Sequence, residues 1–279
     1  MSDIMVSYTR DDIQKTSAPF LKDYLKDGRS DILGAADRSA SDSSLPDEVV
    51  EKLAAWIKSP SSAFLWVEGP VHTPAEHQLS VIAVLLWRQL LSGKDPIPCV
   101  LFTPKLEYPA REVPDSTSRQ ERVLIGLLYS LAGQLVPLLP EELDAAPHRF
   151  EAQVFENLDG SVASVLAALD LIESLLAHGP PNLVVILNRL QVAECPRTTP
   201  HLERLVRLLM ACDAKRNVKG LFITQGSSVA LAGTLDDLTE KANAGRMAQA
   251  GSGQPPKGWT SLGNLSPSVS EGPAGTRPK

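Results

Sequence analysis

The sequence predicts an α/β domain in which a parallel sheet is covered by helices on both faces. Short runs of strand-forming apolar residues alternate along the chain with longer segments of helical periodicity. Two of these runs, at 63–67 and 183–187, are apolar at every position, as is typical of strands that are buried on both faces. Strands separated by helices are joined by right-handed crossovers and lie parallel, so we expect a three-layer arrangement.

The first 45 residues are predicted to precede this domain. An amphipathic segment at about 11–26 favours a short helix, although Pro19 removes one helical hydrogen bond. The stretch 28–44 is rich in Ser, Asp, Gly and Ala and offers little apolar area to offset the entropy of ordering. We therefore interpret 1–45 as a short helix and a flexible linker, followed by the domain at 46–242.

Helices and strands alternate from Pro46 onward. Pro46 suits the first position of a helix, and Asp47 and Glu48 complement the positive end of the helix dipole. The prolines at 98 and 104 bound one strand and predict that it lies at a sheet edge. The predicted helices are 46–58, 75–91, 118–136, 161–177 and 199–214, with a weak one at 234–242, and the predicted strands are 62–68, 97–103, 182–187 and 218–224.

The end of the chain carries little that predicts structure. After the strand at 218–224 only a weak helix is predicted, and the chain then runs into a low-complexity tail, so the domain is expected to be truncated after that strand when it is compared with the family described below. The segment 243–279 is dominated by Gly, Pro and Ser, which predicts a disordered tail.

The composition excludes several classes of function. The 27 basic and 33 acidic residues give a net charge of −6 without long runs of one sign, which offers no electrostatic footprint for nucleic acid or an anionic membrane. Cys99, Cys195 and Cys212 form no C-x-x-C pair and no disulfide framework, which indicates a reducing compartment. The acidic N-terminus lacks the apolar core of a signal peptide, and no apolar run reaches the roughly 20 residues that span a bilayer. We therefore expect a cytoplasmic protein.

The segment 62–80 has the layout of a phosphate-binding loop. A buried strand runs into Gly69, and a long helical pattern starts near Ala75. A working loop reads G-x-x-x-x-G-K-[ST], and counted from Gly69 the last three positions hold Pro74, Ala75 and Glu76. The loop therefore lacks the lysine and the hydroxyl that contact phosphate and Mg²⁺.

Residues 46–231 resemble the nucleotide-binding domain of signal-transduction NTPases of the NACHT and NB-ARC kind, the STAND class, and most closely those of fungal NLR-like proteins. The resemblance rests on a helix with a tryptophan and a Ser/Pro turn at 53–60, a first strand at 64–70, a Walker B-like strand at 183–187 and a sensor-like strand at 221–224. It covers about two-thirds of the chain. It implies a P-loop NTPase-like fold, in which a fifth strand and a helical extension usually follow the sensor strand.

The functional positions implied by the resemblance are altered. The Walker A lysine corresponds to Ala75, and the Mg²⁺-binding hydroxyl corresponds to Glu76, whose carboxylate would repel phosphate. The acidic position after the Walker B run is Asn188, followed by Arg189, and only Thr224 keeps a polar group of the sensor kind. The positions of this degenerate nucleotide site are Gly69, Ala75, Glu76, Asn188, Arg189 and Thr224. The resemblance thus implies a pseudo-NTPase without a catalytic residue or a cofactor.

The carboxyl edge of the sheet is the remaining candidate site, because ligands bind there in open α/β folds. Arg189 could contact an anion in place of the lost lysine, and the amides at the start of the helix near Ala75 could assist. A vestigial loop with ordinary surface residues explains the same pattern. His72, His77 and Cys195 could form a zinc site or a Cys–His nucleophile pair. The histidines lack the H-x-x-x-H spacing of a helical site and no partner carboxylate is identifiable, which favours ordinary residues. The polar residues expected at this edge are Glu68, His72, His77, Thr103, Asn188, Arg189, Cys195, Thr224 and Gln225.

The sequence favours a catalytically inactive P-loop-like module that serves as a protein-interaction or regulatory part of NLR-like signalling, with another protein as its partner. An alternative is an atypical protein that binds ATP or ADP weakly at the sheet edge, with Arg189 or Arg197 supplying the missing charge. A truncated gene product without a selected function fits the same observations.

Overall fold

A five-stranded parallel sheet forms the centre of the fold in a computed structural model of the chain. In spatial order its strands are β4 (Cys99–Phe102), β6 (Asn182–Asn188), β7 (Asn217–Gln225), β3 (Ala63–Gly69) and β8 (Glu240–Asn243). The structure describes residues 6–26, 28–30, 32, 34, 44–71, 75–104, 117–145, 149–211, 216–235, 240–244 and 259–261.

Helices cover both faces of this sheet. In chain order the α-helices are α1 (Arg10–Leu21), α2 (Asp47–Lys58), α3 (Ala75–Ser92), α4 (Arg119–Leu135), α5 (Ala152–Glu156), α6 (Val165–His178), α7 (Thr199–Met210) and α8 (Val229–Ala232). α2 and α3 pack on one face, where β3 contributes Leu65 and Val67. α4, α6 and α7 pack on the other face, where β3 contributes Trp66. The predicted α/β fold with a doubly covered parallel sheet is confirmed.

Local sequence accounts for the helix boundaries where capping residues are present. At the start of α4, the Ser118 hydroxyl accepts a hydrogen bond from the Glu121 amide (3.2 Å), and the Glu121 carboxylate accepts one from the Ser118 amide (2.7 Å). Each side chain satisfies a backbone donor that the first helical turn leaves without a partner. This reciprocal pair places the start of α4 within one residue of the predicted position.

The sheet continues beyond the strand at which the sequence predicts truncation. β8 pairs in parallel with β3, and its register sets Leu65 opposite Glu240 and Glu68 opposite Asn243. The predicted truncation is wrong, and so is the predicted weak helix where it overlaps β8. Glu, Lys and Ala favour helices in isolation, but pairing with a central strand overrides that preference. The backbone amide of Ala244 extends this pairing by donating to the Glu68 carbonyl (2.7 Å).

Part of the predicted N-terminal linker lies against the domain. The Gly28 amide donates to the carbonyl of Thr103 (3.1 Å), and Ile32 is buried in the cluster that contains α2 and α3. β2 (Ser44–Pro46) pairs antiparallel with β9 (Trp259–Ser261), which belongs to the predicted tail. The other predicted linker and tail residues lie outside the described residues, apart from Arg29, Ser30, Gly34, Asn243 and Ala244.

A second small antiparallel pair joins two distant parts of the chain. β1 (Val6–Thr9) pairs with β5 (Glu142–Ala145), so the N-terminal segment packs beside the end of α4. The sequence pattern predicts neither strand, because each has only four residues and carries polar side chains at alternate positions.

Candidate functional site

The predicted site positions lie at the carboxyl edge of the sheet, where all five parallel strands end. Gly69 ends β3, Asn188 ends β6, and Thr224 is the penultimate residue of β7. Ala75 and Glu76 open α3, but their side chains lie outside the described residues, as does the side chain of His77. The loop residues 72–74, which include the predicted His72, also lie outside them.

Packing favours a small residue at Gly69, where β3 meets α3. A Cβ atom built on Gly69 would lie 2.2 Å from Leu79 Cδ1, which is far inside van der Waals contact. The Gly69 carbonyl accepts a hydrogen bond from the Gly226 amide (2.8 Å). The approach of α3 to the sheet therefore explains this glycine without a bound phosphate.

Asn188 lies at the centre of a buried polar cluster. Its Nδ2 donates to Ser80 Oγ at 2.9 Å and lies 3.5 Å from Thr103 Oγ1, at the limit of a hydrogen bond. Asn188 is 0% exposed, and Ser80 and Thr103 are buried beside it. The Asn188 Oδ1 atom has no hydrogen-bond partner among the described residues. The cluster thus presents an amide and two hydroxyls where a metal-associated carboxylate would stand in a P-loop enzyme.

Thr224, the predicted sensor-type residue, is fully buried and hydrogen-bonded inside the protein. Its hydroxyl accepts a hydrogen bond from the indole Nε1 of Trp66 (2.8 Å) and donates to the carbonyl of Gly226 (2.8 Å). One donor and one accepted bond leave a single lone pair on this oxygen. The residue holds β3, β7 and the following turn together.

Arg189 has a left-handed backbone conformation, which is uncommon for a residue other than glycine. Its φ of 59° and ψ of 41° lie in the left-handed region, which costs on the order of 1–3 kcal/mol at a residue other than glycine. Its amide donates to the Ile223 carbonyl at 2.7 Å and so extends the β6–β7 pairing by one residue. Its Nε is buried and has no hydrogen-bond partner among the residues that the structure describes. Strain of this kind often accompanies function. Arg189 therefore combines a strained backbone with a donor that has no partner among the described residues.

Glu68, predicted to lie at the candidate site, forms an ion pair with a residue of the neighbouring strand β8. Its carboxylate pairs with the Lys241 ammonium of β8, which also lies 3.9 Å from the centre of the Trp66 ring. The lysine therefore contacts a carboxylate and an aromatic face at once. These contacts help to hold the fifth strand against β3.

Cys195 lies in the turn before α7, where neighbouring groups change the pKa of its thiol. The Thr198 hydroxyl lies 3.3 Å from its Sγ. Burial acts to raise the pKa of Cys195, but hydrogen bonds from Thr198 and from the backbone of Arg197 outweigh it and lower that pKa below its ordinary value. The hydrogen bonds of Cys195 and those of Asn188 go to different residues, so the structure does not join Cys195 to the polar cluster.

The buried Glu121 carboxylate is held beside this turn. Arg197 NH1 lies 3.6 Å from Glu121 Oε1, and the Arg197 side chain is 81% exposed. Hydrogen bonds from the amide and the hydroxyl of Ser118, together with Arg197, lower the pKa of Glu121. Arg197 thus has a carboxylate partner, whereas Arg189 has none among the described residues.

Glu194 connects the loop after β6 to the short helix α8. Its carboxylate accepts hydrogen bonds from the Ser228 hydroxyl, from the Val229 amide (3.0 Å) and from the Ala230 amide (3.3 Å). An anion at the start of a helix satisfies amides that have no partner within the helix. The loop and the helix are therefore joined by one side chain.

The structure brings some of the predicted residues together and separates others. Asn188 and Thr103 meet, while Gln225 Oε1 accepts a hydrogen bond from Gln191 (3.4 Å). Sequence reasoning missed Ser80, whose position four residues after Glu76 places it on the same helix face as the lost hydroxyl. The described side chains contain no group of three or more His, Cys, Asp or Glu that could hold a metal ion. None of the described helices combines the length and hydropathy needed to cross a membrane.

Comparisons with known proteins add little to this geometry. No protein-family model matches the chain, and no curated protein matches it. Among solved structures, a chain in the structure of Drosophila ORC bound to GC-rich DNA and Cdc6 matches with a TM-score of 0.40 and 13% identity. The match covers 82% of this chain and 33% of that chain, so this chain spans about a third of its length. A similarity of this size carries no argument about function. The sheet and the helices on its two faces are themselves compatible with a P-loop NTPase-like fold.

Proposed function

We propose that the chain is a catalytically inactive P-loop-like module of the NACHT/STAND kind, which acts as a cytoplasmic protein-interaction or regulatory part of fungal NLR-like signalling. The observation that carries the proposal is the state of Asn188. A neutral, fully buried amide that donates to Ser80 cannot take the place of the carboxylate associated with Mg²⁺ in a hydrolytic site.

Two further observations support the loss of nucleotide chemistry. The Thr224 hydroxyl is engaged by Trp66 and Gly226 inside the protein, so it is not offered to a γ-phosphate. A Cβ atom at Gly69 would meet the Leu79 side chain of α3, so close packing favours glycine there without a bound phosphate. Asn188 and Thr224, two of the positions that would read a nucleotide, thus have structural roles in the core.

The proposed partner is another protein. The resemblance to signalling NTPases implies a domain that works by contact with other domains. A chain that keeps the core of such a domain but lacks its phosphate chemistry retains protein contact as its role. Because the fifth strand β8 is present, a missing strand no longer supports the interpretation of the chain as a truncated gene product.

Thermal unfolding of the full chain with and without millimolar ATP or ADP and Mg²⁺ tests the proposal. A ligand that binds the folded state at a hundredfold excess over its Kd stabilises it by about 2.7 kcal/mol. At about 2–4 °C per kcal/mol for a domain of this size, the midpoint would rise by about 5–11 °C. We expect no shift. A Mg²⁺-dependent ATPase activity that disappears on replacing Arg189 would overturn the proposal.

A second candidate function, weak ATP or ADP binding at the sheet edge, is favoured by Arg189 alone. Its strained backbone and its Nε without a partner among the described residues offer one cationic donor near the ends of β6 and β7. If this candidate is right, nucleotide raises the thermal unfolding midpoint of the wild-type chain, and Arg189→Ala removes that rise. Arg207→Ala is the matched control, because Arg207 lies on α7 and pairs with Glu203 at 2.7 Å.

A further inference from the structure

Ser80 is the side chain of α3 that meets position 188. Its Oγ accepts a hydrogen bond from Asn188 Nδ2 at 2.9 Å, and Ser80 is 3% exposed. In a P-loop enzyme the hydroxyl of the phosphate loop and the acidic residue after the Walker B strand hold the same Mg²⁺, so these two positions face each other. By contact, the counterpart of that hydroxyl is therefore Ser80, whereas the sequence count from Gly69 selects Glu76.

Leu79 then takes the position of the Walker A lysine, one residue before the hydroxyl. It is 1% exposed and packs against the end of β3, because a Cβ atom built on Gly69 would collide with its Cδ1. An aliphatic side chain buried against the strand has no charge to neutralise phosphate. The counterpart of the lysine is thus shifted by four residues, from Ala75 to Leu79.

The length of the connection between β3 and α3 agrees with this shift. Residues 70–79 separate Gly69 from Ser80, whereas only x-x-x-x-G-K lies between the first glycine and the hydroxyl residue of the motif, which is four residues fewer. α3 begins at Ala75, four residues before Leu79, although the helix of a P-loop follows the motif. The extra residues of the connection are therefore helical and make about one turn. We call residues 75–78 the additional turn.

The additional turn lies at the start of α3, before the contact between Ser80 and Asn188. Four helical residues extend a helix by about 6 Å, and a helix with its side chains is about 10 Å across. In a P-loop the phosphates lie at the start of the helix, where backbone amides and the lysine bind them. The additional turn therefore fills the volume that the phosphates take in a working site.

We infer that the additional turn itself closes this edge of the sheet to nucleotide phosphates and Mg²⁺, whichever side chains surround it. This closure rests on the P-loop-like architecture proposed above. It goes beyond the loss of side chains, because restoring the motif residues alone does not restore binding. The side chains and the space are separate losses, so each can be reversed by itself.

Hydrogen exchange of the wild-type chain tests whether the additional turn is helical. In a helix that begins at Ala75, the amides of Leu79 and Ser80 donate to the carbonyls four residues earlier. If the helix instead began at Leu79, both amides would be among the first four N–H groups, which have no partner within the helix. We expect these two amides to exchange more slowly than those of residues 75–77, by on the order of tenfold or more. Equal rates would overturn the inference.

A full-length variant restores the motif and keeps the additional turn. It carries Pro74→Gly, Ala75→Lys and Glu76→Thr, and it therefore reads G-P-V-H-T-G-K-T from Gly69. It also carries Asn188→Asp, which supplies the Walker B carboxylate. The motif is then complete by the sequence count, but the contact with position 188 still lies one turn further along α3.

A shortened variant restores the same motif without the additional turn. It lacks residues 74–77 and carries Gln78→Gly and Leu79→Lys, so that it reads G-P-V-H-T-G-K-S from Gly69. Asn188→Asp is included here as well, so the two variants share any cost of the new carboxylate. They differ in the length of α3 before Val81 and in Thr or Ser at the hydroxyl position.

Thermal unfolding with and without millimolar ADP and Mg²⁺ is measured for both variants and for the wild type. We expect the midpoint of the shortened variant to rise by about 5 °C or more, and the other two midpoints to stay unchanged. A rise in the full-length variant would overturn the inference alone, and so would a cooperatively folded shortened variant without a rise. A rise in the wild type would overturn the proposed function as well. If the shortened variant does not unfold cooperatively, the full-length variant and the exchange rates decide.

Discussion

Replacing Asn188 by aspartate tests whether the carboxyl edge has truly lost its metal chemistry. The change keeps the shape of the side chain and restores the acidic group that the family resemblance implies at this position. In the protein as it stands, the Asn188 amide is 0% exposed and donates to Ser80 at 2.9 Å. A carboxylate here would lose its hydration and gain hydrogen bonds only if nearby hydroxyls turn to donate.

The expected cost follows from the burial of this position. Full burial raises the pKa of an aspartate by up to about 3–5 units, and donation from Ser80 and Thr103 would offset part of that rise. A net rise of about 2 units over an unfolded pKa of about 3.9 costs about 2.7 kcal/mol at neutral pH. Because the folded-state pKa is raised, the penalty is absent below about pH 4, grows up to about pH 6 and is complete above it.

Thermal unfolding between pH 4 and pH 8 measures this effect. The matched control is Asn182→Asp, which makes the same replacement at the exposed start of the same strand. We expect Asn188→Asp to unfold about 5–11 °C below the control at pH 7 and close to it at pH 4. Mg²⁺ and ATP should not restore the midpoint. Equal midpoints at pH 7 would refute the reasoning, and so would rescue by Mg²⁺ and ATP. Either result would indicate that the carboxyl edge of the sheet keeps a metal site in which only the carboxylate at position 188 is missing.

Two smaller perturbations test other parts of the structure. The Tyr129 hydroxyl accepts a hydrogen bond from the buried Gly160 amide (3.0 Å), so Tyr129→Phe should lower the free energy of unfolding by about 1–3 kcal/mol in denaturant titrations. Burial raises the pKa of Tyr129 to about 12, so the wild type should lose stability as the pH rises from about 10 to 12, and the variant should lose less. In thiol labelling of the folded protein, Cys195 should react faster than Cys99, because burial raises the pKa of the Cys99 thiol, and Thr198→Val should slow Cys195. Equal labelling rates for the two thiols would contradict this reading.

The sequence predicts those parts of the fold that local pattern determines. β3 and β6 are apolar at nearly every position, and α3 is apolar on most sides, so their burial follows from composition alone. β8 could not be predicted in this way, because its residues favour helices and its strand form depends on pairing with β3.

The candidate site was predictable in position but not in contacts. The ends of the parallel strands identify Asn188 and Thr224 as edge positions, and the lost phosphate loop is visible in the sequence. The partners of these residues are distant in the chain: Ser80 is 108 residues from Asn188, and Trp66 is 158 residues from Thr224. Local patterning carries no information about such pairs, so only the packed structure identifies them.

Glu194 has a mechanical consequence for this edge of the protein. Its single carboxylate accepts bonds from Ser228, Val229 and Ala230, while its backbone belongs to the loop that follows β6. A displacement of that loop must therefore pull α8 with it, or else leave two helix-end amides and a carboxylate without partners. The loops after β6 and β7 are therefore linked through the Glu194 carboxylate, and we expect them to move together.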